Sequence, residues 1–270
     1  MPSVTAIQAN HRHLYHYQPY GDDWTGYLET TLRDRSLFLP SPSTFNDPWD
    51  CRPWFDLDVL NDANVREQYI EWFMQQAIVP RPKDAEEMRN NPQLLREMVT
   101  QCSMGLIDKI DADYRVFCLT PSDDNLLMWS HYARNHKGVC LQFDARAEPI
   151  VGAFQVSYQQ QLPLSAILEL ENDGMFNALL TKSDVWEYEE EFRVIAKDHG
   201  VASPGVPIAI NNRVRIADNA LVRIIVGCEC VGADEIVDMV RRHQPSVSVR
   251  QANRHPHRYG LGFTTVYDGL

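Results

Sequence analysis

Residues from about 61 to 112 carry helical patterning and sit between strand-like segments rather than after them. "NVREQYIEWFMQQAI" and "NPQLLREMVTQCSMGLI" place apolar residues at mixed three- and four-residue spacing, with the breaker "VPRPKD" between them. The chain therefore reads as a single α+β domain over 1–270, with a helical insertion at about 58–112. Around the insertion, "HLYHYQP", "YRVFCLTP", "GVCLQFD", "FQVSY", "LVRIIVGCE" and "SVSVRQA" read as strands. "DWTGYLETTLRDRS", "SDDNLLMWSHYARNHKG", "SAILELENDGMFNALLTK" and "ADEIVDMVRRH" read as helices. "LFLPSPSTFNDPWD" is a strand that two prolines turn into a long structured loop.

Composition narrows the class. An apolar content of 44% with 23% charged residues suits a globular domain with a sizeable core. No window approaches the roughly 18 apolar residues of a membrane span, and the first twenty residues lack a signal-peptide pattern. The six cysteines lie in core-like sequence, which suits reduced thiols and a cytoplasmic setting. Cys228 and Cys230 alone are a weak metal signal, and no metal is expected. A net charge of -12 argues against indiscriminate nucleic-acid binding. Arg241, Arg242, Arg250, Arg254 and Arg258, with three histidines, still concentrate positive charge late in the chain. They read as a solvated surface, with a docking patch for a phosphate-bearing ligand as the alternative.

"KSDVWEYEEEFRVI" (182–195) carries the most chemistry. As one strand it puts Glu189, Glu191 and Arg193 on a common face, neighbours roughly 6.5–7 Å apart. That face could line a cleft, or it could be a charged edge that resists aggregation. In "MWSHYARNHKG" a helix puts Met128 and Tyr132 on one face, and it keeps Ser130 and His131 from acting as a dyad. In "TFNDPWD", Asn46 and Asp47 read as turn caps, with ribose or cation binding as the alternative. There is no phosphate-cradling glycine loop.

The segments His13–Tyr17, Leu37–Asp50, Cys118–Asp144 and Lys182–Arg193 resemble the marks of a widespread bacterial family, domain-of-unknown-function family 2971. More distantly, the order of elements resembles ADP-ribosyltransferases, particularly those that modify nucleic acids. That resemblance implies split mixed β-sheets around NAD, with His16, Tyr132 and Glu191 or Glu189 as the catalytic set. Tyr17, Ser41, Asn46, Trp129 and Arg193 would help His16 and Tyr132 hold the dinucleotide. The implied reaction breaks the nicotinamide–ribose bond, where a carboxylate stabilises oxocarbenium character on the sugar. ADP-ribose would pass to a nucleic-acid or protein acceptor, as in a toxin or phage-defence effector. The alternative is a non-enzymatic domain that senses a nucleotide or protein in a bacterial defence system.

Overall fold

The computed structural model describes residues 4–77, 79, 81–163, 175–203 and 205–270. They form two compact units, the first of Met1–Ser41, Tyr114–Val156 and Trp186–Leu270, the second of Pro42–Asp113 and Ser157–Val185. The first unit begins with β1 (His13–Gln18), α1 (Thr25–Asp34) and β2 (Ser36–Phe38). The second contributes α2 (Ala63–Gln76), α3 (Pro82–Asn90) and α4 (Pro92–Asp113). The first resumes with β3 (Tyr114–Leu119), α5 (Leu126–His131), β4 (Val139–Asp144) and β5 (Phe154–Gln155). The second adds β6 (Ser157–Gln159), α6 (Met175–Leu179) and β7 (Thr181–Ser183). The first unit ends with β8 (Phe192–Lys197), β9 (Arg213–Arg215), β10 (Leu221–Val226), α7 (Ala233–His243), β11 (Ser248–Arg254) and β12 (Leu261–Tyr267).

The architecture is α+β. In the first unit a five-stranded mixed sheet runs β1-β4-β10-β11-β12, and a three-stranded antiparallel sheet runs β3-β8-β5. In the larger sheet only β10 and β11 are parallel, and α7 connects them. Strand alternation gives that sheet two different faces. Leu14, Leu141, Phe143, Ile224, Val226 and Val249 join the core that includes Leu28 and Leu32 of α1 and Ile236 and Val240 of α7. Tyr17, Cys140, Ile225 and Ala252 face the other way, clustered with Met128 and Trp129 of α5. Helix α7 has acids in its first turn and Arg241, Arg242 and His243 in its last, which complements its dipole.

In the second unit α2, α3 and α4 share a core of Tyr69, Ile70, Met88, Leu95 and Val99. Asp62 caps α2 by accepting from the backbone N–H of Asn64 (2.7 Å) and Val65 (3.2 Å). The "VPRPKD" breaker does more than separate two helices, because Pro82 sits in the first turn of a third, α3.

Several expected elements differ. Residues 182–195 are not one strand: a 3-10 helix spans Asp184–Glu189, Glu190 has φ +47°, and only then does β8 begin. The left-handed residue breaks the two-residue alternation, so Glu189 and Glu191 do not share a strand face. The helix expected through Gly138 ends at His131, and Arg134, Asn135 and His136 follow with φ between +51° and +65°. "FQVSY" splits at Val156 into β5 and β6, which lie in different units. β12 had no counterpart in the sequence reading. Residues 165–174 of the expected helix lie outside the described residues; Met175–Leu179 is helical.

Candidate functional site

Glu191 and Arg193 form a two-point ion pair. The Arg193 Nε donates to Glu191 Oε1 at 2.8 Å and its Nη2 to Oε2 at 3.0 Å. Both side chains are buried, Arg193 with 0% exposure. β8 alternation explains the placement: Phe192 and Val194 enter the main core, while Arg193 shares the opposite face with Cys118, its partner on β3. A buried pair is tolerated only when its geometry is good, and the parallel fork supplies that.

Glu189 is also buried, at the end of the 3-10 helix. The Tyr132 hydroxyl donates to its Oε1 at 2.6 Å, across a sequence separation of 57. Tyr132 is the residue that closes α5, so the helix end sets where its ring points. Asn125 ties the two segments together. Its Oδ1 accepts from the Leu127 and Met128 amides, which starts α5, and its Nδ2 donates to the Tyr188 carbonyl at 2.9 Å. Beside this network stand three rings. His131 Nδ1 shares a 3.1 Å hydrogen bond with the Tyr188 hydroxyl, and Trp186 lies 6.1 Å from Tyr188 and 6.4 Å from His131 between ring centroids. His131 is exposed and the other two are half-buried, so the rings, inclined at 42° to 75° to one another, form an uneven shelf at the surface of the first unit.

The structure thus brings Tyr132 together with Glu189, and Glu191 with Arg193. His16 stands elsewhere. It shares a β1 face with Leu14 and pairs in register with Leu141, on the main-core side. Its ring stacks on Phe117 at 4.1 Å, and its Nδ1–H donates to the Cys118 carbonyl at 2.8 Å. The carbonyl can only accept, so Nδ1 carries the proton. Burial pushes its pKa down to about 4, against the opposing effect of that hydrogen bond. Tyr17 and Trp129 are interior residues. They meet edge to face at 5.1 Å, and each donates to a backbone carbonyl, of Ser122 and Asp123 respectively. Ser41 is half-buried at the end of a first-unit segment, and Asn46 is exposed in the second unit. There, Asp47 accepts from the Trp49 amide at 2.9 Å, as a turn-capping residue does.

Trp186, Tyr188 and His131 were missed as a group. Their signal was present in the W-x-Y spacing beside the glutamates, but a strand assignment put both rings on one face without saying what else would meet them. A concavity of about 700 Å³ lies elsewhere in the first unit, between the start of α5, Cys228–Glu229 and the β11–β12 hairpin. His136 reaches it from the left-handed turn, and its buried Nδ1 has no hydrogen-bond partner among the described residues. Arg254 on its rim pairs with Glu229 at 3.4 Å. Among the described residues no group of three His, Cys, Asp or Glu side chains could hold a metal ion. None of the described helices is long and apolar enough to cross a membrane.

The fold and these contacts define an α+β protein with two buried carboxylates, one paired with an arginine and one hydrogen-bonded by a half-buried tyrosine. Residues 128–194 match the model of a family described as protein of unknown function (DUF2971), and this stretch holds Tyr132, Glu189, Glu191 and Arg193. No curated protein and no solved structure matches the chain.

Proposed function

We propose that the first unit is a nucleotide-binding module, with NAD as the first ligand to test. The supporting observation is the surface shelf of Trp186, Tyr188 and His131, braced from behind by a buried polar network. Flat heterocycles stack on such rings, at roughly 1–3 kcal/mol per base. The carboxylates expected to do chemistry are held by protein donors, Glu191 by Arg193 and Glu189 by Tyr132, which favours binding without turnover. A second reading, transfer of ADP-ribose to a macromolecular acceptor, draws on one contact. Tyr132 and Glu189 meet at 2.6 Å, which makes Glu189 rather than Glu191 the carboxylate to test.

Calorimetric titration with NAD and with ADP-ribose tests the binding module. Saturable binding that weakens about tenfold or more in Tyr188→Ala is expected. Folded wild type that takes up neither ligand overturns the proposal. Nicotinamide release from NAD, abolished in Glu189→Gln with binding retained, would establish the transferase reading.

A further inference from the structure

The α5-bearing face of the five-stranded sheet is apolar only around Tyr17, Cys140, Ile225 and Ala252. Toward the other end of the same strands the face is polar. Tyr15 of β1 stands opposite Gln142 of β4, Gln142 opposite Arg223 of β10, and Arg223 beside Ser248 of β11, with Arg250 two residues further on. Arg223 reaches this face through an irregularity. Leu221 pairs with Phe143 and Arg223 with Gln142, so β10 holds one extra residue, Val222. Without that bulge Arg223 would share the face of Leu221 and point into the main core. Bulges re-aim side chains in this way, often beside working sites.

Once re-aimed, Arg223 is fixed by neutral acceptors. Its Nη1 donates to Gln142 Oε1 at 2.8 Å and its Nε to Ser248 Oγ at 3.0 Å. Gln142 is itself 2% exposed. Ser248 is committed in turn, its hydroxyl lying 3.4 Å from the Val222 carbonyl at the bulge. Neither bond neutralises the guanidinium. Among the described residues Arg223 has no ion pair, and the Arg250 guanidinium has neither an ion pair nor a hydrogen bond. Acids outnumber bases 37 to 25 in this chain, so two half-buried arginines left together without an ion-paired carboxylate stand out. Burial and then the Arg250 charge push the Arg223 pKa down, as expected for cations held close together. The facing acid is Asp123, whose own pKa is raised by burial and by Asp124. His13 at the margin is lowered by burial and by Arg12. The Tyr15 phenol, pushed up to about 12 by burial and Asp123, stays protonated and can donate.

We propose that Arg223, Arg250 and the Tyr15 hydroxyl form a binding site for a phosphate group. The Arg250 fork, the Nη hydrogens that Arg223 has left beside its bonds to Gln142 and Ser248, and a phenol present donors of the charge that a dianionic phosphate takes up. The site does not depend on the nucleotide reading, because its residues are separate from the aromatic shelf and its buried network.

Titration with inorganic phosphate, AMP and adenosine, followed by calorimetry at low ionic strength, tests it. Wild type, Arg250→Gln, Tyr15→Phe and a control, Arg254→Gln, are compared. Saturable binding of phosphate or AMP is expected, weakened at least tenfold in Arg250→Gln, less in Tyr15→Phe, and unchanged in Arg254→Gln. Binding of phosphate alone assigns the site to the free anion, and binding of AMP alone assigns it to the phosphate of a larger ligand. Arg250→Gln has no internal partner to lose, so its fold is expected to survive. No saturation of folded wild type by phosphate or AMP, or equal affinity for them in Arg250→Gln, overturns the proposal, and adenosine binding that Arg250→Gln leaves unchanged reports the aromatic shelf alone.

Discussion

Arg193 has no exposed surface, and its charge is answered by Glu191 in a two-point contact. Removing one partner of a buried pair costs about 3–5 kcal/mol, whereas replacing both with apolar residues is often neutral. Glu191→Gln is therefore expected to lower the melting temperature markedly, with a double Glu191→Leu, Arg193→Met variant recovering much of the loss. Equal damage from the single and double changes would show that the pair is held by something beyond mutual charge. His16 sets a pH dependence. Its pKa of about 4 in the folded chain lies below its ordinary value near 6.5, so the unfolded chain binds the proton first. The stability it contributes is complete above about pH 6.5 and is lost as pH falls toward 4, by up to about 3 kcal/mol. His16→Asn keeps a donor for the Cys118 carbonyl but does not titrate. The stability gap between it and wild type, from urea unfolding, should narrow between pH 7.5 and pH 4.5. A gap independent of pH would rule out this role.

The turn after α5 shows what an element must do to meet a sheet. Left-handed backbone costs roughly 1–2 kcal/mol per non-glycine residue, and Arg134, Asn135 and His136 all adopt it. The hydrogen bonds of the turn offset that cost: His136 N–H to the Trp129 carbonyl, Gly138 N–H to Ala133, and Glu229 N–H to the His136 carbonyl. Two glycines make the approach possible. A Cβ on Gly138 would lie 2.3 Å from the Gln18 carbonyl oxygen, and one on Gly227 would lie 2.1 Å from that of His136. Both obstacles are backbone and cannot swing aside. Gly138→Ala and Gly227→Ala are each expected to cost at least the roughly 1–3 kcal/mol of ordinary overpacking, read as a fall in melting temperature. Unchanged melting in either would mean that the turn relaxes freely.

In the whole molecule, protection should follow position in the five-stranded sheet. β4 and β10 are interior strands, β4 buried along most of its length and β10 over four of its six residues, whereas β12 at the edge has no buried residue. Hydrogen exchange is expected to be slowest at β4 and β10 amides and fastest at β12. Comparable rates in all three would contradict this order. The same contrast explains what could be read in advance. β4 and β10 announce themselves by runs of buried apolar residues, "VCLQF" and "LVRIIV", whereas the alternation of "LGFTTVY" is weak and its strand is held by pairing with β11. The Glu191–Arg193 contact was legible because residues two apart on a strand share a face. The Tyr132–Glu189 contact was expected only through a resemblance. Arg250 was already among the arginines of a possible phosphate-docking patch, but its pairing with Arg223 and the aromatic shelf were not legible, because each joins side chains from distant segments.

By itself the amino-acid sequence determined an α+β chain with helices inserted between strands, and it marked the glutamate–arginine stretch as unusual. Periodicity and local spacing carry that information over a few residues, because burial on one face of a strand or helix repeats along the chain. Tertiary structure decided the rest. One left-handed residue, Glu190, broke the strand alternation that had put two carboxylates on one face. One extra residue, Val222, moved an arginine from the core face of a sheet to its open face. A change of a single residue in register inverts every later side chain, and only pairing with a neighbouring strand fixes which register holds.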